Sequence, residues 1–326
     1  MNGTTALSPW LPTAPCTPGH CAAHPETAHP ETARPETVHR EITPLGTVPP
    51  ERTHRPRGAA DPAGTLRAAV RLTAGLCAVL LGILLAPAAG LLPAATRFAL
   101  VRSWLRAMIR AFGVHVRYEG ATAPPGGPLL VVANHVSWLD IPLIGAVLPG
   151  RMVAKSEVRR WPVLGTLAAL GGTLFIDRNG LRALPGTVHT LAGVLAGGGR
   201  VIVFPEGSTW CGRARGRFRP AAFQAALDTG SAVQPVRIDY RPTDAAAYVG
   251  DDPLGSSLWR VVSARRLTAV VRLEEPLPAA PYPDRRALAA AAQRAVASES
   301  ANLPSLSVHQ RSRSRSASAS SARTPA

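Results

Sequence analysis

From Val114 onward, seven short apolar runs alternate with stretches of helical periodicity, a pattern that few folds accept. The runs lie at 114–118, 129–133, 151–155, 173–176, 200–204, 233–240 and 268–273. Helices are expected near 138–147, 160–170, 181–197, 219–229, 254–264 and 284–299. Leu129-Leu-Val-Val-Ala and Val201-Ile-Val-Phe carry no polar alternation, as strands buried on both faces do. Strands separated by helices need crossovers, and crossovers make parallel sheets. The expected class is α/β, a largely parallel sheet flanked by helices, over residues 114–300. Proline offers a ladder no N–H, so Pro235 marks the 233–240 run as an edge or a bulge.

Ahead of this domain, Leu72 to Leu92 is apolar and carries no charge over 21 residues, about the length that spans a bilayer core. Arg67 and Arg71 precede it, which suits a cytoplasmic N-terminus. Pro87 interrupts it near the end, so a kinked, half-inserted helix fits as well as a span; a buried core helix is the third reading. Residues 97–112 then place Phe98, Val101, Leu105, Met108 and Phe112 on one helical face, with Arg102, Arg106 and Arg110 four apart. Such a helix suits the membrane interface, its apolar face in acyl chains and its arginines on lipid phosphates. A surface helix packed on the domain has the same pattern. Together residues 65–113 read as a membrane-docking helical hairpin. The location expected is the cell membrane, with the following domain on its cytoplasmic side.

The two ends have a different composition. Residues 1–64 contain the repeat His24-Pro-Glu-Thr-Ala, His29-Pro-Glu-Thr-Ala, Arg34-Pro-Glu-Thr-Val. Proline every fifth residue blocks a helix, and too little is apolar to bury, so a disordered head is expected. No apolar core follows the first methionine, so the head is not a signal peptide. Cys16, His20, Cys21 and His24 have ligand chemistry but no zinc-site spacing, and the four cysteines do not form a disulfide framework. Residues 301–326 are rich in serine and arginine and are likewise expected to be disordered. The formal charge of +16 favours anionic partners: phospholipid headgroups, an acidic carrier protein or nucleic acid. All but one of the 36 basic residues are arginine, which singles out Lys155.

Three strand ends carry polar residues. The first reads Leu129-Leu-Val-Val-Ala-Asn134-His135-Val-Ser-Trp-Leu-Asp140. Ligand sites in open α/β sheets gather at the carboxyl ends of strands, and histidine titrates near neutrality. A base on a hydroxyl needs a carboxylate to hold its tautomer, and Asp140 is in reach if His135 precedes the helix and Asp140 opens it. In isolation the pair reads as capping and surface residues. The second is Gly172-Thr-Leu-Phe-Ile-Asp177-Arg178, an acid and an arginine able to fork onto a phosphate, or a plain surface turn. The third is Val201-Ile-Val-Phe-Pro-Glu206-Gly207-Ser208-Thr209. There a glycine and small hydroxyl residues let backbone N–H groups approach an anion. Glu206 either receives a substrate hydroxyl or fixes the cluster by pairing with an arginine.

These motifs, in this order and with the Val233-Gln-Pro-Val strand after them, resemble the glycerolipid acyltransferase family, which includes 1-acyl-sn-glycerol-3-phosphate acyltransferases. The resemblance covers roughly residues 70–300 and extends to Lys155-Ser-Glu-Val-Arg-Arg-Trp-Pro-Val-Leu-Gly165. It implies the glycerolipid acyltransferase fold, with His135 as general base and Asp140 orienting it. The donor would be an acyl thioester of coenzyme A or acyl carrier protein, a substrate rather than a bound cofactor, and no metal is implied. Arg178, Glu206, Gly207 and Ser208 would bind the acceptor, with Lys155 added as a phosphate contact. Backbone N–H groups near the start of the following helix would hold the oxyanion. The expected acceptor is 1-acyl-sn-glycerol-3-phosphate, giving phosphatidic acid in phospholipid biosynthesis, at a membrane phospholipid surface. One departure matters. Phosphatidate-forming members commonly place arginine two residues after the third motif's glycine; here Thr209 stands there, with Arg213, Arg215 and Arg217 soon after. A similar family acylating lyso-ornithine lipid also tends to lack that arginine, so such a lipid is the alternative acceptor. No Gly-x-Ser-x-Gly and no Gly-Lys-Ser/Thr loop is present, which argues against a serine hydrolase and an NTPase. A non-catalytic basic protein on this scaffold, binding membrane or nucleic acid, is the other class; no specific nucleic acid is expected.

Overall fold

The computed structural model describes Cys16 and residues 62–122, 126–161, 164–177, 181–250 and 252–298. Most of the head and the whole tail 301–326 lie outside these residues. So do His20, Cys21 and His24 of the zinc-like stretch. Cys16 is buried in a small cluster with Trp210, Cys211 and Val249.

Two helices come first, α1 (Pro62–Gly90) and α2 (Ala94–Ala111). Helix α1 therefore starts inside the segment expected to be disordered and runs through Pro87. The sheet strands are β1 (Val114–Gly120), β2 (Leu129–Ala133), β3 (Arg151–Lys155), β4 (Leu174–Ile176), β5 (Arg200–Val203), β6 (Ala232–Arg241) and β7 (Leu267–Leu273). Between them lie α3 (Asp140–Gly145), α4 (Leu164–Leu170), α5 (Leu184–Ala196), α6 (Ala221–Thr229), the short α7 (Thr243–Ala246) and α8 (Leu254–Ser263); α9 (Arg285–Ala297) follows β7. Their order in the sheet is β1-β7-β6-β2-β5-β3-β4. Every pairing is parallel except β6 with β7. The expected class and all seven strands are present, with ends shifted by a residue or two.

Strand β2 explains why its sequence is apolar throughout. All five residues are buried, alternating between two cores. Leu129, Val131 and Ala133 join Phe112, Leu143 and Val261 on one face; Leu130 and Val132 join Leu191, Phe223 and Leu288 on the other.

Two expectations are corrected. Strand β6 is not an edge: it lies between β7 and β2, with Pro235 opposite Val132, and only its pairing with β7 is bulged there. The proline is tolerated because the β7 ladder stops at Val236–Leu273 and resumes only as a bridge between Val233 and Leu277. The missing N–H falls in that gap, where Pro235 still accepts from the Glu274 N–H at 3.1 Å. Nor is α1 a core helix: only 6% of its apolar window is buried, and Leu80 and Leu84 remain 57% and 75% exposed.

Helices α1 and α2 form an antiparallel hairpin. A Cβ on Gly75 would overlap the Phe112 ring and one on Gly82 the Trp104 ring, so small residues let the helices close. Trp104 Nε1 also donates to the Ala78 carbonyl at 2.8 Å. The hairpin's base packs on the domain, where Arg71 donates to the carbonyls of Val262 (3.1 Å) and Ala264 (2.6 Å). Gly113, at φ +81°, is needed there twice: for its left-handed backbone, and because a side chain would overlap Arg71.

Candidate active site

Strands β2, β5, β3 and β4 run parallel side by side, so their carboxyl ends share one edge of the sheet. That edge carries His135 after β2, Glu206 to Ser208 after β5, Lys155 at the end of β3 and Asp177 after β4. The chain beyond Ala133 stays extended through Ser137, and Asp140 opens α3. Rotation along a helix therefore does not separate the pair. His135 Nδ1 lies 2.8 Å from Asp140 Oδ2.

Asp140 is fully buried, and its ionised form is provided for. Oδ2 also accepts the N–H groups of Val136 (2.7 Å) and Ser137 (2.9 Å), while Oδ1 accepts the Tyr240 hydroxyl at 2.5 Å. Burial of a carboxylate is tolerable only with such a donor set. Tyr240 is itself buried; burial, then the Asp140 charge, push its phenol well above the usual tyrosine range, so it stays a donor. These bonds also limit which amides are free for the expected oxyanion site. The N–H groups of Val136 and Ser137 are spent on Asp140, and those of Leu139 and Asp140 bond to Ser137.

The imidazole is packed flat against Phe204, centroids 4.0 Å apart and planes 14° from parallel. Its side chain keeps 18% exposure, and Nε2 has no hydrogen-bond partner among the described residues. One nitrogen is thus tied to a buried carboxylate while the other faces outward. That is the arrangement a general base needs.

Glu206 takes the second of its two expected roles, and without an arginine pair. It is 3% exposed, its Oε2 accepts the His135 N–H at 2.9 Å, and its Oε1 accepts the Gly216 N–H at 3.1 Å. The side chain ties the end of β2 to the loop after β5. Burial is the main cause of a pKa raised from 4.5 to about 8; the two amides and Arg215 oppose it. A Cβ on Gly216 would overlap Trp210 and crowd Glu206, so glycine lets the loop close on the carboxyl group. The Trp210 N–H in turn donates to the His135 carbonyl at 2.7 Å.

The other expected residues divide. Gly207 sits at φ +79°, a conformation that glycine accepts without strain, and Ser208 beside it is half-buried. Lys155 is exposed on the same edge, two strands from β2. Asp177 is exposed at the end of β4, and Arg178 lies outside the described residues. Two contributors were not expected. Asn134 fastens β2 to β6 with both ends of its amide, Nδ2 to the Ile238 carbonyl and Oδ1 from the Ile238 N–H, each at 2.8 Å. Tyr240 was the other, and its signal was there. In β6 it shares a face with Val236 and Ile238, and an inward tyrosine needs a partner for its hydroxyl.

Residues 115–239 match the acyltransferase family model. A lyso-ornithine lipid O-acyltransferase of Pseudomonas aeruginosa is 42% identical over 205 residues, covering 61% of this chain and 78% of that one. A 1-acyl-sn-glycerol-3-phosphate acyltransferase of Neisseria gonorrhoeae is 40% identical over 176 residues, 52% and 68% of the two chains. Among solved structures, the 1-acyl-sn-glycerophosphate acyltransferase PlsC of Thermotoga maritima superposes with a TM-score of 0.56 at 21% identity, over 72% of this chain and 94% of that one. That likeness establishes the shared fold. With a relative of this identity spanned over most of its length, the chain belongs to the acyltransferase family.

Proposed function

We propose that this chain moves a fatty acyl group from an acyl thioester to the free hydroxyl of a membrane lysolipid. The observation that carries the reading is the partly exposed His135, one nitrogen held 2.8 Å from buried Asp140 and the other without a partner among the described residues. His135 Nε2 takes the proton of the acceptor hydroxyl as its oxygen bonds to the thioester carbonyl carbon. The tetrahedral intermediate collapses, the C–S bond breaks, and the departing thiolate takes the proton back from the imidazolium. Asp140 stays ionised throughout and balances that cation. The donor is acyl-CoA or acyl carrier protein, and this reading uses no metal or bound cofactor. Lys155, Gly207 and Ser208 line the same sheet edge and are the headgroup contacts in this reading, with Arg178 assigned by resemblance.

The first acceptor is 1-acyl-sn-glycerol-3-phosphate, on which the relative from Neisseria gonorrhoeae acts by name. Lyso-ornithine lipid is the second, favoured by Thr209 in place of an arginine and by the relative from Pseudomonas aeruginosa. Attachment is by the α1–α2 hairpin, inserted into one leaflet on the cytoplasmic side. Helix α2 folds back along α1 bearing Arg97, Arg102, Arg106 and Arg110, which a bilayer centre does not tolerate.

The test offers labelled acyl-CoA and acyl carrier protein to membranes containing the protein, each with lysophosphatidate and lyso-ornithine lipid. Phosphatidate formed by wild type and lost in His135→Ala supports the first acceptor. Product from lyso-ornithine lipid alone moves the reading to the second. Equal activity in His135→Ala removes the mechanism.

A further inference from the structure

At the base of the hairpin, α1, α2 and β1 enclose a cavity of about 660 Å³. Its polar lining is Arg71, Arg106, Arg110, His115 and Tyr118, with no carboxylate. Arg102, Arg106 and Arg110 all act on the Tyr118 hydroxyl, and the charged neighbour of Arg71 is another arginine, Arg67. None of the five ion pairs among the described residues includes any of these arginines. Gathered guanidinium groups without a counter-charge repel one another, and a phosphate relieves that while accepting forked hydrogen bonds.

The position says where such a phosphate comes from. Counted from Pro93 at the hairpin tip, Arg106 and Arg110 lie roughly 20–25 Å along α2 at 1.5 Å per residue. A tip held short of the bilayer midplane, within about 15 Å of hydrocarbon, sets these arginines at the headgroup level. Leu84, Leu85 and Leu91, exposed nearer the tip, occupy the acyl layer.

We propose that this cavity is a binding site for the phosphate of an anionic bilayer phospholipid, separate from the acceptor site, which fixes the depth and tilt of the domain on the membrane. The proposal rests on the hairpin reading above, and the test separates the two. Full-length protein is diluted from detergent onto vesicles of phosphatidylcholine alone, or with about one third phosphatidylglycerol, and binding is read by flotation. Wild type binds the anionic vesicles at least roughly tenfold more tightly, and Arg106→Gln/Arg110→Gln abolishes that preference while keeping the phosphatidylcholine binding. Arg286→Gln/Arg294→Gln, exposed arginines on α9 across the sheet from the hairpin, keeps the preference. Equal loss in both double variants overturns the site in favour of diffuse surface charge. An undiminished preference in Arg106→Gln/Arg110→Gln overturns it outright. Inorganic phosphate that competes at millimolar concentration overturns the lipid as its occupant in favour of a soluble phosphate compound. Wild type floating with neither vesicle overturns the hairpin reading and this one with it. Matching melting temperatures confirm that the variants are folded.

Discussion

The strand ends at β2, β5 and β6 and the α1–α2 hairpin treat their polar groups in opposite ways. At the strand ends, Asp140 is fully buried yet meets His135, two backbone N–H groups and Tyr240, while both oxygens of Glu206 are occupied. In the hairpin, large leucines face outward and the arginines enter no ion pair among the described residues. One region is complete within the chain. The other presents an exposed apolar face and clustered arginines, as membrane-surface helices do. The chemistry therefore depends on rigid protein contacts, and the placement of that chemistry on the surrounding medium.

Substitutions in one region should leave the other untouched. The largest effect is expected from Asp140→Asn. An amide in that cavity sets its own N–H groups against those of Val136 and Ser137 and no longer balances the imidazolium. We expect kcat to fall by about 10³-fold or more, with vesicle binding unchanged. Loss of vesicle binding in this variant would show that the regions are coupled. Next is Leu84→Asp/Leu91→Asp. Burying each leucine in lipid contributes about 1.5–2 kcal/mol, so membrane affinity should fall at least about 100-fold. Activity on a lysolipid presented below its micellar concentration should persist, and its disappearance would break the comparison from the other side.

Tyr240→Phe sharpens it from within the site. Losing the 2.5 Å donor leaves more negative charge on Asp140 for the imidazolium. The groups facing the His135 ring are Asp140 and Phe204, with Glu206 on its backbone N–H. We expect kcat/KM to drop roughly tenfold and the acidic limb of its pH profile to move to higher pH. A drop with an unmoved profile would make Tyr240 a packing residue. The smallest effect is that of Glu206→Gln on the pH dependence of stability. The folded carboxyl group holds its proton to about pH 8, whereas the unfolded one releases it near 4.5. Wild type thus loses stability from this group as pH rises between those values, and the loss levels off above about 8. The variant's melting temperature should be flatter across that window. An identical slope in both proteins would remove Glu206 as its source.

Much of this was legible in the chain because local patterns dictated it. Period-two and fully apolar runs located all seven strands, and uncharged length with flanking arginines located α1. His135 and Asp140 were legible as a pair because only a chain break between strand and helix brings residues five apart together. Pro235 misled for a definable reason. A proline within a strand signals an edge only if its neighbour is continuous, and the gap opposite it in β7 lies 40 residues away.

The sequence by itself determined the strand–helix alternation, the apolar hairpin segment and the residue types at each strand's carboxyl end, since side-chain periodicity and turn chemistry act over a few neighbours. Only the tertiary structure decided which donors complete Asp140, that Glu206 is a buried clamp, and that α1 lies outside the core. These depend on contacts across 71 to 104 residues of chain, Glu206 to His135, Tyr240 to Asp140 and Ile238 to Asn134. Such partners are chosen by strand order in the sheet, which no local stretch of sequence encodes.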